Sequence, residues 1–244
     1  MASEVVTACL DGVDGRDHDG ALTAALARYG EDSDDPRWES QWRVFGGDGL
    51  PLLAGYATDT RVLMVDGVCA GAPRGLLDLD GAWAGAAAAA GRLWDAWRDF
   101  AAAYPKARSL EDFYADSAAD PVRYDSGRAA ADYAAQPVVS AAPFLADGRA
   151  PNPSPPSLEL DPVGWFGLVR DEYAERRAAR ALPTAGLLTR EGEWLDPDQL
   201  LHGASPAEAM INAFRNRLAY FAHADAYLRA LPPDCFVVRV RVRT

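Results

Sequence analysis

The final forty residues change their hydrophobic period, and that change constrains the fold more than any other feature of the chain. SPAEAMINAFRNRLAYFAHADAYLRAL repeats its apolar positions at threes and fours, the spacing of a helix face. CFVVRVRVRT then alternates, the spacing of a strand with one apolar side. A long helix followed at once by an amphipathic strand needs a sheet for the strand to join. The helix start is well signed, since Ser205 can cap, Pro206 fits the first turn and Glu208 completes a capping box.

On that helix Met210, Phe214, Leu218, Phe221 and Leu228 fall on one side and are expected to face the core. Asp225 lies within this stripe. A carboxylate there needs a partner, because burial disfavours its charged form. Pairing with an arginine or a backbone donor is the plain reading; an acid or base at the floor of a site is the sharper one. Asn216, Tyr220, His223 and Tyr227 recur at spacings of four, three and four on the opposite side. Rings with polar tips and an imidazole that titrates near neutral pH form a wall suited to a ligand groove or partner surface, against the alternative of burial elsewhere in the fold. His223 and Asp225 are therefore the secondary candidates for catalysis.

In the terminal strand Phe236, Val238, Val240 and Val242 share one face. Arg239, Arg241 and Arg243 share the other, each about 6.8 Å from the next. Cys235 and Val237 extend the arginine side with apolar character, so partial cover is expected at its start. Three readings compete for the arginines: cross-strand pairing with acids at a solvent face, recognition of an anion by guanidinium forks, and a partner interface. Together with the tyrosine–histidine row they are the ligand-binding candidates.

Upstream, EVVTACL reads as a strand and ALTAALARYG as a short helix. WRVF, LPLLAGYA and TRVLMVDGV read as a meander. A long helix is expected from Gly81 to Tyr104, capped by Asp80 and stopped by Pro105, with Trp83, Trp94, Trp97 and Tyr104 among alanines on one face. SLEDFYAD and SGRAAADYAAQ suggest short helices, and DPVGWFGLVRDEYAERRAARAL suggests one helix capped by Asp161. GLLTREGEWLDP suggests a hairpin turning at Glu191-Gly192. The proline-rich run DGRAPNPSPPSLELDP forbids a continuous element and marks a linker. The expected fold is α+β: a mostly antiparallel sheet packed against Ala/Trp-rich helices, with a C-terminal helix followed by a C-terminal strand. Its expected organisation is a subdomain over 1–146, a linker over 147–160 and a subdomain over 161–244, or one compact domain.

Charge narrows the function classes. The 244-residue chain carries a net −12, which argues against a nucleic-acid binder. Residues 1–40 hold ten acids against three arginines, a net −7, while 205–244 hold six arginines against three acids, a net +3. A basic protein or a small anionic ligand is the expected partner. No apolar run nears the roughly 20 residues of a membrane span, and MASEVV does not open like a secretory signal, so a cytoplasmic location without membrane contact is expected. Three scattered cysteines read as buried thiols. A single lysine, Lys106, and abundant alanine suggest a bacterial, high-GC origin.

Motif tests remove the obvious alternatives. Asp14, Asp17 and Asp19 crowd a glycine-rich loop and are the only metal candidates. With Gly20 at the sixth position of a calcium loop, Gly15 and Leu26 fall on the first and twelfth, which excludes an EF-hand; no metal site is assigned. FGGDGLP lacks a phosphate-loop lysine, and GxSxG, HExxH and CxxC do not occur. No cofactor is expected. The function expected from sequence is an acidic binding or regulatory protein of an immunity-like or partner-binding kind; the alternative is a small-molecule enzyme whose pocket is lined by the C-terminal helix.

Overall fold

The computed structural model describes residues 3–13, 17–30, 32, 39–47, 49–142, 161–197 and 206–243, with the backbone alone for 39, 40 and 206–214. The proline-rich linker, Asp14 and the Ser205 cap lie outside the described residues, as do the side chains of Glu208, Met210 and Phe214. The fold is α+β. Two compact units divide the chain: Met1–Ala84 with Ala179–Gln199 and Ala219–Thr244, and Gly85–Ala178 with Leu200–Leu218.

The first unit is built on a mostly antiparallel seven-stranded sheet with β7 (Phe236–Arg243) inside it. Valine-rich alternation suits this position, because β-branched side chains pack well on a pleated surface buried from both sides. β1 (Ser3–Leu10) runs antiparallel along the whole of β7, from Ser3 opposite Arg243 to Leu10 opposite Phe236. The other edge of β7 is shared. β4 (Val68–Pro73) pairs with Phe236 to Val238, and β2 (Glu39–Val44) takes over from Val240 to Arg243. At the handover Phe45 N donates to the Arg239 carbonyl at 2.9 Å. β3 (Leu63–Val65) joins β4 through an Asp66-Gly67 turn in which both residues have positive φ, the conformation that Asp-Gly hairpins favour. β5 (Gly186–Leu188) runs parallel to β1 and turns back into β6 (Trp194–Leu195).

The two faces of β7 are covered by different helices. Phe236, Val238, Val240 and Val242 pack with Leu22 and Leu26 of α1 (His18–Leu26), together with Leu188 and Trp194. The C-terminal helix α8 (Pro206–Ala230) instead meets the opposite face, where Tyr220, Ala224 and Leu228 cluster with Cys9, Leu187, Cys235 and Val237. The valines thus dock on the N-terminal helix and not on the helix that precedes them. The reason is visible in Cys235 and Val237: the arginine face begins apolar, and its apolar end is where a helix can lie.

LPLLAGYA contributes a single bridge, Leu52 to Leu77, in place of a strand. Pro51 lacks an amide proton and Gly55 takes a φ of 90°, so the run folds into turns.

The second unit is helical among its described residues. It holds most of α2 (Leu79–Ala101), then α3 (Leu110–Ala119), α4 (Ser126–Ala134), α5 (Pro137–Ala141), α6 (Pro162–Phe166) and α7 (Arg170–Ala178). Trp97 stacks on Phe166 at 4.7 Å, while Ala90, Trp165, Tyr173 and Ala174 form a core. In this unit the aromatic stripe of α2 therefore packs on helices. The single helix expected from Pro162 breaks at Gly167, and the Trp94 indole donates to the Leu168 carbonyl at 3.0 Å within the break. Asp161 caps α6 as expected, accepting from Gly164 N at 2.9 Å and from the Tyr133 hydroxyl at 2.8 Å.

Candidate functional site

The sequence candidates disperse into distinct environments. Tyr220 is buried in the sheet-facing core, and its hydroxyl donates to the Thr184 carbonyl at 2.9 Å, which satisfies the polar tip of a buried ring. Tyr227 is half-buried; its hydroxyl accepts from Arg190 N at 2.8 Å and donates to Glu191 Oε2 at 2.8 Å. His223 is exposed and Asn216 half-buried. The buried side of α8 is turned toward the tyrosines relative to the Leu218–Phe221 stripe, because a tyrosine whose hydroxyl finds a backbone acceptor can be buried as a large apolar group. The wall expected along this row is correspondingly divided between core, hairpin and surface.

Asp225 is only 6% exposed. Its Oδ2 lies 3.7 Å from Arg229, which also meets Asp80 at 3.3 Å and sits over the Trp83 ring. Burial pushes the Asp225 carboxyl up to about 6, with Arg229 opposing that rise and Asp80 adding to it. Next to Tyr227, the Arg190 guanidinium and the Tyr227 hydroxyl hold Glu191 down to about 2. Asp17 and Asp19 sit at the start of α1, where Asp19 meets the His18 ring at 3.2 Å.

The arginine row separates into three environments as it leaves the cover of α8. Arg243 is exposed. Arg241 is half-buried, with its guanidinium 3.7 Å over the Phe45 ring. Arg239 is only 8% exposed and lies opposite Thr7 of β1. Its Nη1 donates to the Gly49 carbonyl at 2.8 Å and its Nη2 to the Leu182 carbonyl at 3.3 Å. A guanidinium fixed by two backbone oxygens is pre-organised: its position is set before any ligand arrives.

Arg239 lines a cleft of about 510 Å³ that lies wholly within the first unit. Arg180 supplies a second guanidinium, itself 5.0 Å over the Phe221 ring. Around them stand Val5, Phe45, Leu50, Pro51 and Ala82, with Pro183, Thr184 and Ala185 on the segment that enters β5. The size suits a small molecule.

Arg239 is among the candidates that the sequence offers, whereas Arg180 and the 181–185 segment are not. Nothing in RRAARALPTAG carries a period or motif that would draw attention to it. No family model, no curated protein and no solved structure matches the chain. The functional reading therefore rests on the cleft itself.

Proposed function

We propose that this chain is a binding protein whose first unit receives a small anionic ligand in the Arg239 cleft. The observation that carries the reading is a charged side chain more than nine-tenths buried, held by the Gly49 and Leu182 carbonyls and lining a cleft of ligand size. Guanidinium keeps its charge under any physiological condition, and a charge at the wall of a partly desolvated cleft acts on an anion more strongly than one in open water. Arg180 adds a second positive charge to the same cleft. In a chain of net −12, this local reversal of sign selects for an anion at one place.

Isothermal titration with acetate, hexanoate and inorganic phosphate tests the reading. Saturable binding of at least one anion, lost in Arg239→Met, is expected; silence toward all three ends it. The net −7 over residues 1–40 supports a second role, docking of a basic protein, which predicts an association rate that falls steeply with added salt.

A further inference from the structure

We infer that Arg43 and Arg241 form a second anion site, outside the Arg239 cleft, that takes the phosphate group of a monoester.

β2 and β7 place these two arginines directly opposite each other. Trp42 and Val44 pack with the valine face of β7, so Arg43 lies on the other face, beside Arg241. Directly opposed residues of an antiparallel pair stand about 4.5–5.5 Å apart at Cα, and like charges in that position repel. Such a pair costs stability unless an anion lies between its members. Acids are abundant in this chain, 36 against 24 lysines and arginines. Arg61, Arg108, Arg170, Arg176 and Arg190 each meet a carboxylate at 2.6–3.2 Å. Among the described residues neither Arg43 nor Arg241 has such a partner. The next arginine on this face, Arg243, stands opposite Glu39 in the register, which limits the site to Arg43 and Arg241.

Arg241 is held ready by what it touches. Its guanidinium lies 3.7 Å over the Phe45 ring, and its Nε is closed off from water. Stacking occupies a face of the guanidinium and leaves the in-plane Nη–H groups to donate. Arg43, which is exposed, supplies the second fork.

Charge and shape then select the ligand. Two guanidiniums bring two positive charges. A phosphate monoester carries about −1.5 to −2 at pH 7, whereas a carboxylate carries a single charge and leaves one guanidinium uncompensated. One fork also fills both oxygens of a carboxylate, while the three oxygens of a phosphate accept from two forks at once. The group can arrive on a small ester or on a phosphorylated side chain of a partner protein, and two probes separate these sources.

Calorimetric titration of the full chain at low salt with glycerol phosphate, a phosphoserine peptide, the same peptide with glutamate in place of phosphoserine, and acetate tests the site. At least one phosphorylated probe is expected to bind about tenfold or more tightly than acetate and the glutamate peptide. Binding of glycerol phosphate shows that the group alone suffices; binding of the phosphopeptide alone assigns it to a partner protein. The affinity is expected to fall at least about tenfold in Arg43→Gln, a change at an exposed position, and the rise in thermal midpoint caused by the probe should vanish with it. Without ligand, Arg43→Gln is expected to melt no lower than the parent at low salt, since it removes one of two repelling charges; a lower midpoint overturns that premise. Equal binding of the glutamate peptide overturns the phosphate assignment. Phosphate binding that survives Arg43→Gln overturns the site, and its loss in Arg239→Met instead assigns the anion to the cleft. Silence toward both phosphorylated probes also overturns the site, while hexanoate tests the cleft separately.

Discussion

Arg239 Nη1 donates to the carbonyl oxygen of Gly49 at 2.8 Å, joining residues 190 positions apart in the sequence. The bond ties the last strand to the turn that follows β2, and it makes the guanidinium a structural member of the fold as well as of the cleft. Arg239→Lys keeps the charge and discards the fork, so it cannot reproduce both carbonyl bonds. A loss of about 1–3 kcal/mol is expected in urea unfolding, the range for leaving a buried polar group unsatisfied. A variant as stable as the parent would show that the two bonds contribute nothing.

Asp225 makes stability depend on pH in a stated direction. Its carboxyl is raised to about 6 in the folded state from 3.8, so the folded chain holds this proton more tightly than the unfolded chain. The stabilisation from the protonated form is complete below about pH 4 and is lost as pH rises through 6. Asp225→Asn removes the titration. Its stability relative to the parent is expected to be about 2 kcal/mol more favourable at pH 7.5 than at pH 4, read from paired urea midpoints. An unchanged difference across that range would refute the shift.

The Tyr227 hydroxyl holds the β5–β6 turn from α8 by accepting the Arg190 amide and donating to Glu191. Tyr227→Phe should cost about 1 kcal/mol and speed amide exchange at Arg190. It should also raise the Glu191 carboxyl, since the Tyr227 hydroxyl is one of the groups holding it low. Slow exchange at Arg190 in the variant would mean that the turn is held by other bonds.

Gly71 lies where β4 crosses Phe236 and Val238. A methyl there would stand 3.0 Å from the Phe236 ring and 3.1 Å from Val238 Cβ. Gly71→Ala is expected to destabilise by about 1–3 kcal/mol, the cost of overpacking a filled core. Thermal unfolding gives the direct measure; a neutral result would require the ring to shift without penalty.

What the sequence made legible follows from how local each signal is. The period change near Leu231 marked α8 and β7 correctly, and the turn at Glu191-Gly192 has the positive φ that glycine supplies. Asp161 caps the helix it precedes. The covering of β7 was not legible, because residues 235 to 238 are apolar on both sides and alternation alone cannot say which side a given helix will take. The sequence left Tyr220 open between groove and burial for a related reason: its ring is apolar enough for the core, and its hydroxyl partner, Thr184, lies 36 residues away. The cleft was illegible as a unit, since it gathers Val5, Phe45, residues 49–51, Ala82, residues 180–181 and 183–185, and Arg239, which are far apart in the sequence.

The shared flank of β7 has a mechanical consequence. One long neighbour would bind the whole strand as a single zipper, but two half-length neighbours can detach separately. Releasing residues 42–44 would bare the arginine-bearing half while residues 71–73 still clasp the other half. Arg239 sits at the seam between them, so the cleft it lines adjoins the place where one neighbour hands over to the other.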